Sequence, residues 1–297
     1  MSSRTNVLLA KIGTVAFKGA QRAFERRDIV AAERLGEKFA RVGFRLDRKH
    51  RERAIANIKL AFPEKSDEEA RQLALGVFLH FGRVLADFLR SPARSDEEVL
   101  ASVEEVDLTP YYEANAKGKG VLAVTGHMGN WERLAHWYQA HGWKMSVVAR
   151  DANDEGLQQQ IAKIRGGSGL SMLSRGNSAR AILEKLRNKE TIGILPDQNS
   201  EEAFLPFFGK PCGTVLGPAV LHLRTGAPVV CGFCLRVGPG KYRIEVFEPI
   251  QYARGEATPE QVMTDVNAVI EKVIRKYPDQ WLWLHDRWKS ARKAGLL

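Results

Sequence analysis

The stretch TGHMGNWERL, residues 125–134, sets a histidine and a carboxylate, His127 and Glu132, with four residues between them. An imidazole paired with a carboxylate is the usual equipment of a general base. In one unbroken helix the two side chains would point about 140° apart, but a turn after His127 lets them converge. Gly126 and Gly129 relax the backbone there, and Asn130 is a good N-cap for the helix that WERLAHWYQAHG predicts. Glu132 falls in the first turn of that helix, where the dipole favours an ionised carboxylate. The same residues also make a capped helix beside a surface histidine, and the motif alone leaves both readings open.

Other chemistries fit less well. Glu132 and His136 are spaced to share a metal on one helix face, but no third ligand has a recognisable spacing. The loop has neither the G-x-G-x-x-G pattern nor a Walker lysine. Ser168 in GGSGL has Leu170 where a nucleophile elbow needs its second glycine. A base at His127 therefore lacks a protein nucleophile to activate, and would have to deprotonate a substrate hydroxyl.

The elements that must position these residues follow from periodicity. Residues 5–91 read as helical, with segments at 29–46, 51–61 and 67–90, a break at Pro63, and Ser66 or Asp67 as N-cap. From about residue 119 apolar runs alternate with amphipathic helices: GVLAVT then 130–141, KMSVVA then 154–165, LSML then 178–188, TIGILP then a helix near 214–225. This alternation predicts an α/β fold with a central, mostly parallel sheet flanked by helices. His127 would then lie at the carboxyl edge of a strand, where such sheets bind ligands. APVVCGFCLRV and KYRIEVFEPI predict an antiparallel hairpin at the sheet edge, and a helix over 258–276 follows. The expected layout is a helical layer over 1–95 and an α/β core over 96–297, in one compact unit.

With 297 residues, 45 Lys and Arg against 35 Asp and Glu, and a net charge of +10, the chain can bury a large core and attract polyanions. Nucleic acid ranks low among them, since no nucleic-acid-binding module is recognisable. Three cysteines do not suggest a disulfide framework, and point to a reducing compartment. The CGFC at 231–234 has redox or zinc spacing, but it lies inside a strand pattern. No run of uncharged apolar residues reaches the roughly 18 needed to span a bilayer. The N-terminal stretch instead reads as a basic amphipathic helix carrying Leu8, Ile12, Val15 and Phe24, suited either to a membrane surface or to packing on the domain.

GHMGNWE, VVARDAND, KIRGGSGLSMLSRG, GILPDQN, LPFFGKPCGT, TGAPVV and YPDQWLWLHDRWK occur in that order, after NIKLAFPEKSDEEARQL. Over roughly residues 50–290 this ordered set resembles the bacterial lipid A biosynthesis acyltransferase family, the late acyltransferases, which includes phosphatidylinositol mannoside acyltransferases. The resemblance implies transfer of a fatty acyl chain from acyl-carrier protein or acyl-CoA to a hydroxyl of a lipid or glycolipid, without an acyl-enzyme. It implies His127 as the general base and Glu132 as the acid that orients it. It also implies Arg150, Arg165, Arg175, Asp197 and Gln198 as substrate-binding positions, and neither a metal nor a cofactor beyond the acyl donor.

Arginine suits phosphate groups because its donors form a planar fork, although each of these arginines could also be a solvated charge. Asp197 could be only a turn former. Trp281, Trp283 and Trp288 in the closing block could pack in the core or sit at a membrane interface, and His285 is expected to have no catalytic role. The family commonly begins with an apolar anchor, whereas this N-terminus is charged and amphipathic. The expectation is therefore peripheral attachment to the anionic cytoplasmic face of the bacterial inner membrane. The alternatives are a non-catalytic lipid-binding protein and an acyl thioesterase.

Overall fold

The computed structural model describes residues 17–149, 155–166, 170–174 and 178–297. Residues 17–25 are helical (α1), followed by α2 (Ile29–Leu46), α3 (Arg48–Ala61) and α4 (Asp67–Arg90). Of the amphipathic N-terminal pattern only Phe24 falls among the described residues, and it is buried; Leu8, Ile12 and Val15 lie outside them. Ser66 caps α4 in a full capping box with Glu69. By length and composition α4 could span a bilayer, yet its buried residues, among them Ala74, Val77 and Phe78, pack into the protein core. α2 and α4 run antiparallel and cross where Gly36 meets Gly82. A Cβ on Gly36 would stand 2.2 Å from the Gly82 carbonyl oxygen, so only glycine allows this approach.

After the short helices α5 (Asp96–Ala101) and α6 (Thr109–Ala116), strand and helix alternate as expected. The order is β1 (Val121–Val124), α7 (Trp131–Ala140), β2 (Met145–Ala149), α8 (Glu155–Gly166), β3 (Ser171–Ser174), α9 (Ser178–Arg187) and β4 (Thr191–Ile194). Next come β5 (Ala203–Phe207), β6 (Lys210–Thr214), α10 (Gly217–Thr225), β7 (Val229–Gly238), β8 (Lys241–Val246), α11 (Pro259–Lys276) and α12 (Lys289–Lys293). The main sheet has the order β3-β2-β4-β1-β7-β8 and is parallel except for β7–β8, the predicted edge hairpin. The fold is α/β.

One element departs from the sequence reading. β5 and β6 form a separate two-stranded ribbon between β4 and α10, a stretch to which the sequence reading assigned no element. Its two-residue turn places Phe208 (φ 52°) and Gly209 (φ 67°) in the left-handed region, as a type I′ hairpin requires. Pro206 faces Pro211 across the ribbon, one step beyond the Phe207–Lys210 pair that closes the turn. Opposed residues in an antiparallel pair alternate between bonded and non-bonded, so both prolines occupy a pair that needs no N–H.

The largest apolar cluster joins N-terminal helices to the sheet, since Phe44, Ile58 and Phe78 share it with Leu122, Ile192 and Phe233. Trp281, Trp283 and Trp288 belong to it and are fully buried, so all three are core residues. Cys231 and Cys234 lie on β7 in clusters on opposite faces of the sheet. Burial pushes the Cys231 thiol up to about 12 and the Cys234 thiol higher still, so CGFC is core-packing strand.

Candidate active site

His127 sits in the loop that leaves β1 at the carboxyl edge of the sheet, with its side chain 22% exposed. Asp197 sits in the loop that leaves the adjacent strand β4, so parallel pairing delivers both loops to one place. The Asp197 carboxylate accepts from the His127 main-chain N–H through Oδ2 (2.7 Å) and from ring Nδ1 through Oδ1 (2.8 Å). Oδ2 also accepts from the Trp281 indole (2.9 Å). Burial alone would raise the Asp197 pKa, but the His127 charge and these hydrogen bonds outweigh it and hold the carboxyl at about 2. An ionised carboxylate can only accept, so Nδ1 carries the proton and Nε2 keeps its lone pair. Burial opposes protonation of His127, yet Asp197, reinforced through space by Glu132, raises its pKa above the ordinary 6.5.

Glu132 does not take the place the sequence reading gave it. Its carboxylate accepts from both Nε (3.0 Å) and Nη2 of Arg165 on α8, and from the indole of Trp131 (3.0 Å). The hydrogen bond expected from Glu132 to the imidazole is made by Asp197, because α7 starts only after the chain has turned at Gly129 and carries Glu132 towards α8. Trp131 lies against the imidazole, with ring centroids 5.2 Å apart. The Gln198 amide stands 3.4 Å from Nε2 of His127. Of the expected substrate positions, the structure therefore brings Asp197, Gln198 and Arg165 to the histidine. Arg150 and Arg175 lie outside the described residues.

Two glycines make this geometry possible. A Cβ on Gly126 would come 2.9 Å from Oδ2 of Asp197, in the space the carboxylate needs to reach the loop. Gly129 has φ 57°, and a Cβ there would stand 2.1 Å from the Cys234 carbonyl oxygen. That close approach lets the Asn130 N–H bond the same carbonyl (2.7 Å), while the Asn130 side chain caps α7 at Arg133 N (2.9 Å).

The C-terminal block, which gave no catalytic expectation, supports both loops. Leu282 N donates to the His127 carbonyl (3.1 Å), and Gly129 N donates to that of Gln280 (2.9 Å). Buried Arg287 donates to the Gln198 carbonyl (3.1 Å). His285 is kept neutral by burial, with a pKa near 4, and its Nε2 accepts from Asn199 N (2.9 Å). From the other side, α4 contributes His80, whose Nε2 donates to the Gly129 carbonyl (3.0 Å). It also contributes Asp87, a buried hub that accepts from Asn130 (2.7 Å), Arg133 (2.6 Å) and Arg94. His80, in the middle of α4, and Asp87, in its last turn, sit in an apolar pattern and carried no sequence signal. Trp281 carried one, its place in the quoted closing block.

An apolar cavity of about 570 Å³ opens beside His127, a volume typical of small-molecule sites. His127, Trp131, Glu132, Arg165 and Gln198 line its polar end, and its walls come from both faces of the sheet. On one face Ala123, Gly193 and Val147 stand in register beneath Trp137, Tyr138 and Trp143. On the other lie Val148, Ile194 and Leu221. Gly193 leaves this floor low, since a Cβ would already touch Val147 at 3.2 Å. Such a site can hold a long apolar chain with its reactive end at a general base.

The sequence pattern of the family described as bacterial lipid A biosynthesis acyltransferase matches residues 26–290. The lipid A biosynthesis palmitoleoyltransferase of Escherichia coli (strain K12) is 27% identical, over 80% of this chain and 78% of its own. The lipid A biosynthesis lauroyltransferase of the same strain is 25% identical, over 86% and 85%. A phosphatidylinositol mannoside acyltransferase of Mycobacterium tuberculosis (strain CDC 1551 / Oshkosh) is 26% identical, over 73% and 71%.

Proposed function

Because the chain belongs to the bacterial lipid A biosynthesis acyltransferase family and is thus an acyltransferase, we propose that it moves a fatty acyl chain from a thioester to a hydroxyl of a lipid or glycolipid. The donor is acyl-carrier protein or acyl-CoA, and the enzyme works peripherally at the anionic cytoplasmic face of the inner membrane. The observation that carries this reading is a base–carboxylate pair, His127 and Asp197, at the polar end of an apolar cavity of about 570 Å³.

With Nδ1–H held by Asp197, Nε2 of His127 takes the proton of the acceptor hydroxyl as its oxygen attacks the thioester carbonyl. The tetrahedral intermediate collapses, the C–S bond breaks, and the departing thiolate takes the proton back from the imidazolium. Asp197 stabilises the imidazolium between these steps, and Glu132 adds its field from the Arg165 side. No acyl-enzyme forms. Arg165 and Gln198, beside the ring, bind the reacting groups of the substrates, and the acyl chain fills the apolar arm under α7.

The test is turnover by the full chain with acyl-CoA and acyl-carrier protein thioesters of several lengths. Lipid A precursors and phosphatidylinositol mannosides serve as acceptors, with product mass as readout. His127→Ala is expected to lose transfer by about 10³-fold or more while remaining folded. Wild-type activity in that variant would overturn the mechanism. Thioester turnover indifferent to any lipid would instead identify a thioesterase.

A further inference from the structure

The surface beside the active site exposes large apolar side chains on α2 and α4. α2 exposes Phe39 (62%), Val42 (51%) and Leu46 (79%), and α4 exposes Leu85 (52%). At 100° per residue, Leu35, Phe39, Val42 and Leu46 fall within an arc of about 60° on α2, and Phe81, Leu85 and Phe88 within an arc of about 60° on α4. The two helices run antiparallel through the Gly36–Gly82 crossing, and the Glu37–Arg83 ion pair marks one flank of it. Both apolar arcs lie on the opposite flank and merge into one strip.

Beside the strip, Arg34, Lys38, Arg41 and Arg45 are exposed on the outer face of α2, and no acidic residue of α2 is. At its other border the strip runs into the active site. Phe81 meets Trp131 with centroids 6.0 Å apart, Trp131 meets His127 at 5.2 Å, and Arg165 lies 6.0 Å over the Phe88 ring.

We infer that the α2–α4 strip is the surface on which this enzyme docks on an anionic bilayer, with the mouth at Trp131 and His127 turned to the lipid. An apolar stripe edged by arginine and lysine is what an interfacial helix presents to acidic headgroups and acyl chains. Continuity with the mouth lets an acceptor lipid move from the bilayer to Nε2 of His127 without crossing water. The inference rests on the proposed lipid acceptor, and it assigns the membrane contact to α2 and α4.

Co-flotation of the full chain with mixed phosphatidylglycerol–phosphatidylcholine vesicles tests it, with pure phosphatidylcholine vesicles as the comparison. Wild type is expected to float with the mixed vesicles and at least about tenfold less with the neutral ones. The triple substitution Val42→Ser, Leu46→Ser, Leu85→Ser and the double substitution Arg41→Gln, Arg45→Gln should each cut partitioning about tenfold or more without lowering the unfolding temperature. Undiminished flotation of both variants overturns the proposal. So does an arginine variant that floats normally but loses binding to acyl-carrier protein, since the face would then belong to the donor. A wild type that floats yet acylates no lipid leaves the docking face standing and removes the proposed reaction. One that acylates lipid in detergent but never floats does the reverse.

Discussion

His127 is held between unequal carboxylates, and their difference is measurable. Asp197 touches the ring and the main chain, whereas Glu132 acts through space and spends its hydrogen bonds on Arg165 and Trp131. In the proposed mechanism the neutral imidazole is the base, so kcat/KM should rise with pH through a midpoint above 6.5, the ordinary histidine value. Asp197→Asn removes both the charge and the fixed tautomer. The midpoint should move down and the plateau fall by about 10²- to 10⁴-fold, as a pH–rate profile would read. Glu132→Gln should move the midpoint the same way but less. The depressed Asp197 pKa has a second consequence. Its stabilising contribution is present in full above the ordinary 3.8 and is lost as pH falls towards about 2, so Asp197→Asn should blunt acid unfolding over that window. The sequence singled out all four of His127, Glu132, Asp197 and Gln198, but not which acid serves the ring. Chain spacing favoured Glu132, and only the pairing of β1 with β4 brings Asp197 across a gap of 70 positions.

The elements that carry these residues were legible where period and punctuation agreed. α2, α4, α7 and α11 start and stop close to their sequence signals, with Asp28, Ser66, Asn130 and Thr258 as side-chain caps. The β5–β6 ribbon was not, because Pro206 and Pro211 read as strand breakers until they are seen to face each other. The brace under the active-site loop was also hidden, since a buried Asp87 among apolar neighbours has no local signature. Asp87→Ala leaves Arg94 and Arg133 buried without their carboxylate, and should cost about 3–5 kcal/mol in denaturant unfolding. Gly129→Ala forces a Cβ into the Cys234 carbonyl at a positive φ. It should lower activity and stability together, whereas Gly126→Ala, whose Cβ would come nearest the Asp197 side chain, should mainly lower activity.

At the scale of the whole molecule, N-terminal helices, sheet and C-terminal block share one core and meet at one cavity. With the acyl chain bound as proposed, its floor would set the length of chain it accepts. Gly193→Val adds bulk against Val147 and Met145 within the apolar arm, and should shift preference to shorter acyl donors when a thioester panel is compared. Sequence alone implied an acyl site but not its depth, because depth depends on which strands stand side by side and on what α7 lays over them.

The thioester donor proposed above would create a hazard that the cysteines of this chain avoid. A protein thiolate near an activated acyl group competes with the alcohol and captures the chain by transthioesterification. Cys212, Cys231 and Cys234 are all buried, and burial pushes the Cys212 thiol up to about 11 and the other two further. At neutral pH they offer almost no thiolate and no path to it. The native enzyme should therefore resist self-acylation and alkylating reagents alike, and its three thiols become reactive only as the core opens, giving a chemical clock for unfolding.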